Sequence, residues 1–413
     1  MIGATRLRAI RAALFGMVVT LVALPIMGLP YSADDTFNRN QALQPFLDQV
    51  RGAWDINLAW MRNQGRFFPG GSLYGLIVWN ALPSRAAYMT YLVLLNIVCV
   101  VLVSYVVWQV ARSRYLAAFA GFAVGMCMQL RYVSFDGLAS FTGLVQYTLT
   151  LTLIAGLAAG HICRGGSRWW SLVVLVPWSL AITAYEVSLL MLPAILLLIW
   201  AIGPPIRENW RRWSWATLPL LVPAALEFGV TMVLRQHPKS VVPAYQIDLG
   251  GPVLATMAKQ FTAALPFAQS TLIDAPFDWR LGLMLVAALA VPTILAWRPW
   301  AAGPSSCRRR TSYALIGAGA WAWLTPSLLA GVTVRWQESL DWGVGYIYLP
   351  YEFVGLALVL TGIAGIVRSY APAPWARVAF SVLFGIVLVA CVLTAAENIL
   401  NVGTLVPGPA GPG

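Results

Sequence analysis

The strongest constraint on this chain is a recurrence of apolar runs, each about twenty residues long and nearly free of charge. "AAYMTYLVLLNIVCVVLVSYVVWQV" (86–110) is one, with no charged residue. A transmembrane helix needs about 20 such residues. A water-soluble fold has no place for many of them. Composition agrees: 59% of the residues are hydrophobic and 10% charged, against roughly 25% charged in soluble domains. The runs are continuous rather than alternating, which excludes a membrane-spanning β-barrel. The sequence therefore predicts an all-α polytopic membrane protein.

Several function classes drop out next. The formal net charge is +12, which in a soluble chain would point to nucleic acid. Here the arginines flank apolar runs and set orientation instead, so no nucleic-acid partner is expected. Lys239 and Lys259 are the only lysines. Cys99, Cys127, Cys163, Cys307 and Cys391 are scattered and form no CxxC, so neither a zinc site nor a disulfide framework is indicated. His161 and His237 lie far apart and no HExxH exists, which argues against an intramembrane metalloprotease. Arg6, Arg8 and Arg11 precede an apolar run ending near Tyr31-Ser32-Ala33. That pattern allows a cleaved signal peptide. The run is also long enough to span, and an uncleaved first helix fits the remaining topology.

The expected spans are 11–30, 86–110, 115–129, 141–161, 169–185, 187–204, 214–234, 280–297, 311–331, 349–367 and 378–396, about eleven in all. Their connectors alternate in charge. Arg6, Arg8, Arg11, Arg112, Arg114, Arg164, Arg168, Arg207, Arg211, Arg212, Arg298, Arg308, Arg309, Arg310, Arg368 and Arg377 fall on one side. The positive-inside rule makes it cytoplasmic and puts the N-terminus there. The carboxylates fall mostly on the other side, with Glu208 the clear exception. Acids contribute little to orientation, so their concentration speaks of work done at the outer face of a plasma (inner) membrane, towards the periplasm or cell exterior. The whole of 1–413 reads as a single integral membrane domain. Its long outer segments are 31–85, 235–279 and 331–349, and 406–413 reads as a flexible Pro/Gly tail.

In 31–85, "LPYSADDTFNRN" (29–40) sets Asp34 beside Asp35 just past an apolar run. Ser32 and Asp35 fit a capping box, and an acid suits a helix N-terminus. One cap needs one acid, and adjacent side chains do not share a helix face. Ala42, Leu43, Phe46, Leu47 and Val50, then Trp54, Leu58 and Met61, recur at helical spacing. They predict amphipathic helices lying in the membrane interface. "NQGRFFPGG" (63–71) then turns the chain back, with Arg66 among aromatic residues. A carboxylate can act as general base or hold a divalent cation against a phosphate. Arg66 offers forked donors for phosphate oxygens, or anchors a lipid headgroup. The combination suits chemistry on a lipid-linked phosphate.

With "SADDTF" (32–37) after the first span and "WMRNQGRFFPGG" (60–71) behind it, the chain resembles the GT-C superfamily of polytopic glycosyltransferases. "MQLRYVSFDGLASFTGLVQYT" (128–148), "AYEVSLLMLP" (184–193) and "GVGYIYLPYEFVGL" (343–356) match in style. The resemblance covers most of the chain as architecture. It implies a polyprenyl-phosphate-linked sugar as donor, a glycan, lipid or protein acceptor, and a catalytic role for Asp34 or Asp35. No His accompanies the acid pair, which leaves the sugar and any need for Mg²⁺ or Mn²⁺ open.

Other residues extend the candidate site. Arg131 and Asp136 share the second outer loop and form an ion pair or line a groove. Glu186 sits at a tight turn between spans, where an acid near membrane depth is a functional candidate; alternatively it orients Arg131 or Arg66. Glu227 lies deeper. "TVRWQESLDWGVGYIYLPYE" brings Arg335, Glu338, Tyr346, Tyr348 and Tyr351, which suit a sugar or an aromatic belt. GFAVG (121–125) and GLAAG (156–160) suit close helix packing. The leading expectation is an inverting glycosyltransferase working at the outer face of the plasma membrane, with its lipid-linked donor entering from the membrane lipid. Its rivals are a transporter or flippase, and a polymerase or ligase of lipid-linked glycans.

Overall fold

The computed structural model describes residues 2–29, 31, 33–130, 140–236, 246–268, 309–346, 348–370 and 374–405. These are all helical in character, with no strand among the described residues; a single bridge pairs Ile247 with Thr333. The helices are α1 (Ile2–Ala23), α2 (Ala33–Ala42), α3 (Phe46–Gln64), α4 (Pro69–Ala81), α5 (Arg85–Ala111), α6 (Arg114–Cys127), α7 (Ser140–Cys163), α8 (Trp170–Ala184), α9 (Val187–Leu190), α10 (Leu192–Ile202), α11 (Trp210–Gln236) and α12 (Val253–Ala263). After them come α13 (Arg309–Gly331), α14 (Val334–Ser339), α15 (Leu349–Ser369) and α16 (Pro374–Leu405). Among the described residues, six helices are long and apolar enough to cross a membrane: α5, α7, α11, α13, α15 and α16. Shorter apolar helices cover Ala12–Gly28, Arg114–Cys127, Trp170–Ala184 and Val187–Ile202. The expected span 280–297 and the 406–413 tail lie outside the described residues.

Proline explains where helices depart from the apolar runs. The first run tightens into a 3₁₀ turn, Leu24–Gly28, with Pro25 in its first positions; proline has no N–H to continue an α-helix. The run 187–204 breaks at Met191, with Pro193 opening α10. In the first long segment the amphipathic pattern continues through 42–50, but the helix does not. A turn at 43–45 separates α2 from α3, with Pro45 capping α3. Leu43, Phe46, Leu47, Val50 and Trp54 still form one exposed apolar stripe, the geometry an interfacial helix requires.

The core has three apolar clusters. The largest joins α5, α6, α7, α13, α15 and α16 through residues such as Val100, Phe119, Leu315, Tyr351 and Leu388. A second packs α7, α8, α10 and α11 around Trp178, whose indole N–H donates to Leu220 O at 2.8 Å. The third gathers the end of α1, α4 and the start of α5 around Tyr88 and Met89. Arginine-bearing connectors gather at one end of the bundle. There Arg164 Nη1 donates to Gln109 O (3.4 Å), Arg310 to Trp200 O (2.6 Å), and Arg368 lies 4.8 Å over Tyr115.

Small residues set how closely the helices approach. A Cβ on Gly121 would meet Phe15 and Ser104 at 2.5 Å, and one on Gly160 would meet Ile202 at 2.7 Å. Between α13 and α15 the close approach is backbone to backbone. A Cβ on Gly355 would stand 2.5 Å from Trp323 N and 2.8 Å from Gly319 O. Both neighbours are backbone, so a helix would have to move. Gly355→Ala is therefore expected to destabilise the protein by about 2 kcal/mol or more. Gly385→Ala adds a Cβ with nothing within 4 Å and should be neutral or stabilising by up to ~1 kcal/mol. Thermal melts of both in detergent check this; equal melting temperatures would mean that the α13–α15 contact is not tight.

Candidate functional site

Gly65 ends α3 in the left-handed conformation (φ +61°), which favours glycine, and its N–H returns to Met61 O. A Cβ there would also lie 2.7 Å from the Arg235 side chain. The chain thus leaves the helix at Arg66. Across the site, Tyr185 is extended between α8 and α9, and Glu186 follows it. Arg66 Nε donates to Glu186 Oε1 at 2.7 Å and Nη2 to Oε2 at 2.6 Å. The side chains are 20% and 25% exposed. Trp60 and Phe68 stack on each other at 6.4 Å, and the guanidinium sits 5.0 Å and 5.6 Å from their rings. Burial opposes the Arg66 charge. The Glu186 carboxylate more than offsets it, so the guanidinium is held above its ordinary range.

An aromatic ladder leads from this pair to the 335–348 segment. Tyr185 lies 6.1 Å from Tyr348, Tyr348 meets Tyr346 edge-on at 4.9 Å, and Tyr346 lies 3.6 Å from Trp336. Arg335 closes the row, 5.0 Å from the Trp336 ring. Burial, then Tyr348 and Tyr346, push the Tyr185 phenol well up, so it stays neutral. A buried network carries the ladder. Tyr346 N–H donates to Gln260 Oε1 (2.8 Å), while Gln260 Nε2 (2.9 Å) and Ser327 Oγ (2.7 Å) donate to Glu352. Glu352 is fully buried in the first turn of α15, where a helix N-terminus favours negative charge.

Beside the ion pair, residues of α2, α3 and α4, with Tyr88 and Leu144, line a cavity of about 250 Å³. Asn38, Gln41 and Gln49 are among its polar lining residues, and Trp60, Phe68 and Trp79 among its aromatic ones. Trp60 and Phe68 thus face the cavity and also flank Arg66. Gln49 is locked in place: its amide nitrogen donates to Ala42 O (3.0 Å) and Gln44 O (2.8 Å), holding the 43–45 turn, and its oxygen accepts from Asn80 (2.7 Å).

Two brackets fix the chain that leads into this region. Arg85 donates through Nε to Leu29 O at 3.0 Å, and through Nη2 to Leu29 O and Met27 O. Asn398, buried in α16, donates to Val22 O and Met128 O (2.9 Å each) and accepts from Leu130 N (2.7 Å). On the same helix Thr394 donates to Met126 O (2.8 Å), Asn401 to Leu130 O (3.0 Å), and Glu397 accepts from Gln129 (3.3 Å). None of these was singled out from the sequence. Their spacing (394, 397, 398, 401) is one helical face, a polar stripe in an otherwise apolar span.

Of the expected site residues, the structure brings together Arg66 and Glu186 directly, with Tyr346 and Arg335 joined to them through the ladder. Glu338 is exposed on α14. Tyr351 is fully buried; its hydroxyl is 2.9 Å from Thr148 Oγ1 and 2.7 Å from Ser188 Oγ, so it ties α7 and α9 to α15. Asp34 and Asp35 occupy the first turn of α2, but their side chains lie outside the described residues, as do Arg131, Asp136 and Ser32. Glu227 is buried on the inward face of α11, and its Oε1 has no hydrogen-bond partner among the described residues. No group of three or more His, Cys, Asp or Glu side chains able to hold a metal ion occurs among the described residues. No protein-family model, curated protein or solved structure shows significant similarity to the chain.

Arg66→Ala leaves Glu186 unpaired and is expected to cost about 2–3 kcal/mol, reduced from the value for a fully buried pair by the partial exposure. Arg66→Lys should cost less, because it keeps the charge and loses only the fork. A double-mutant cycle with Glu186→Gln should give a coupling above ~1 kcal/mol; zero coupling would mean that the pair does not hold the segments. Asn398→Leu removes three hydrogen bonds, at about 0.6–1 kcal/mol each in a membrane. A loss of roughly 2–3 kcal/mol in detergent melts is expected, and a wild-type melt would show the bracket to be dispensable.

Proposed function

We propose that the protein is a membrane glycosyltransferase that moves a sugar from a polyprenyl-phosphate donor to a glycan, glycolipid or protein acceptor. In this reading the chain crosses the plasma membrane about eleven times, with a cytoplasmic N-terminus and the reaction at the outer face. The observation that carries it is the convergence at Arg66. Three segments distant in sequence, 60–71, 184–193 and 335–348, meet around one partly open ion pair. Glu186 engages Nε and Nη2, and Nη1 makes no hydrogen bond among the described residues. That edge is the donor a phosphate oxygen would meet.

The reaction is a displacement. The acceptor hydroxyl attacks the anomeric carbon, and Asp34 or Asp35 takes its proton. The bond from that carbon to the phosphate oxygen breaks, and polyprenyl phosphate leaves with the electron pair, its charge offset by Arg66. Direct displacement inverts the anomeric centre. Arg131, Asp136, Arg335 and Glu338 are assigned to the walls of the substrate groove. Mg²⁺ or Mn²⁺ would add a Lewis acid at the phosphate; none of the steps above depends on it.

The test compares wild type with Asp34→Asn and Asp35→Asn, each shown to be folded in membranes, for transfer from labelled polyprenyl-phosphate sugars. One variant should lose about 10²- to 10⁴-fold in rate, the usual contribution of a general base, while the other keeps most activity as a helix cap. If both transfer like wild type, the pair is only a cap. If wild type moves an intact lipid-linked glycan and transfers nothing, the protein is a transporter.

A further inference from the structure

We infer that the cavity between α2, α3 and α4 binds one uncharged saccharide ring, supplied by the donor or by the terminal sugar of the acceptor. The use made of that ring rests on the glycosyltransferase reading; the binding does not.

The lining decides the chemistry. Among the described residues that line the cavity there is no Asp, Glu, Lys, Arg or His. A phosphate or a uronic acid placed there would lose its hydration without a counter-charge, at several kcal/mol per ion. Asn38 and Gln41 carry carboxamides, each both donor and acceptor, which matches the dual character of a hydroxyl. Neither makes a side-chain hydrogen bond to another described residue. Ser72 is set to donate: its oxygen accepts from Asn57 Nδ2 at 2.5 Å, which leaves its own hydrogen for the cavity. Behind it, Asn57 is 6% exposed and its Oδ1 has no partner among the described residues. Trp60, Phe68 and Trp79 give flat apolar faces for the C–H side of a ring.

Size and position agree. The cavity of about 250 Å³ falls just under the roughly 300–1,000 Å³ of sites for drug-sized ligands, which suits one ring. Asn38 lies four residues after Asp34 and three after Asp35 on α2, so a ring held by Asn38 is about 4.5–6 Å along the helix axis from the acids.

Gly75 supplies the test. It lines the cavity, and a Cβ there would meet nothing within 4 Å. Gly75→Leu should fill the cavity without forcing the backbone, and a helix gains from losing a glycine. The full chain in nanodiscs would be titrated with methyl hexosides, methyl pentosides, a methyl N-acetylhexosaminide and methyl glucuronide, read by saturation-transfer NMR. At least one uncharged glycoside should bind. Gly75→Leu should weaken it about tenfold or more, Asn38→Ala should weaken it several-fold, and methyl glucuronide should give no signal. Binding of no glycoside, equal binding of the glucuronide, or unchanged binding in Gly75→Leu and Asn38→Ala would each overturn the site. Transfer measured on the same samples separates the two readings. Glycoside binding in a wild type that transfers nothing sinks the enzyme and keeps the site. Undiminished transfer by Gly75→Leu sinks the site and keeps the enzyme. With a lipid donor added, a glycoside that becomes glycosylated marks the ring as the acceptor's; one that only inhibits marks it as the donor's.

Discussion

The Arg66–Glu186 pair is the contact on which the polar end of the bundle depends. Either charge alone near membrane depth is costly, on the order of 2.5–3.5 kcal/mol at a helix centre. Paired through two short bonds, they support each other and leave only a fraction of their surface open. The geometry of several elements follows from making that pair. The left-handed Gly65 delivers Arg66 at the end of α3. The break between α8 and α9 presents Glu186 at a partly open turn rather than inside a helix. Trp60 and Phe68 then close over the guanidinium, and Tyr185 carries the contact on to Tyr348.

Such contacts matter more here than in a water-soluble protein. Between helices in lipid there is little hydrophobic force, so packing and hydrogen bonds set register. Several buried polar side chains each tie three helices at once. Asn398 ties α1, α6 and α16 together, Glu352 joins α12, α13 and α15, and Tyr351 joins α7, α9 and α15. The middle of the bundle relies on close glycine contacts such as Gly319 against Gly355.

Much of this was legible in the sequence, for reasons that differ by element. Apolar runs located α5, α13 and α15 within a few residues, since membrane insertion depends on local composition. Helix breaks at Pro25, Pro45 and Pro193 were present as residues but not used, because periodicity runs on through 42–50 even where the backbone turns. The Arg66–Glu186 contact was one of two partnerships open to Glu186; a separation of 120 residues has no local signature. The α16 stripe was overlooked because each polar residue, taken singly, is unremarkable in a span, and only the spacing of four reveals a face. Tyr351 was grouped with Tyr346 and Tyr348 on composition, yet it begins the next helix, and one position there decides between the ladder and the core.

The stacked rings of Trp60 and Phe68 place a low-polarity partition between two unlike environments. On one side is a guanidinium held by a carboxylate; on the other is a cavity with no charge among its described lining residues. A glycosyl phosphate has the same division, with a charged end and a neutral ring joined at the bond to be broken. A site that kept its cation within the ring pocket would favour binding a phosphate where the sugar belongs. Under the proposed glycosyltransferase reading, separating them by aromatic faces would let each end of such a molecule find its own surroundings, with the anomeric carbon at the boundary, near the helix whose first turn carries Asp34 and Asp35.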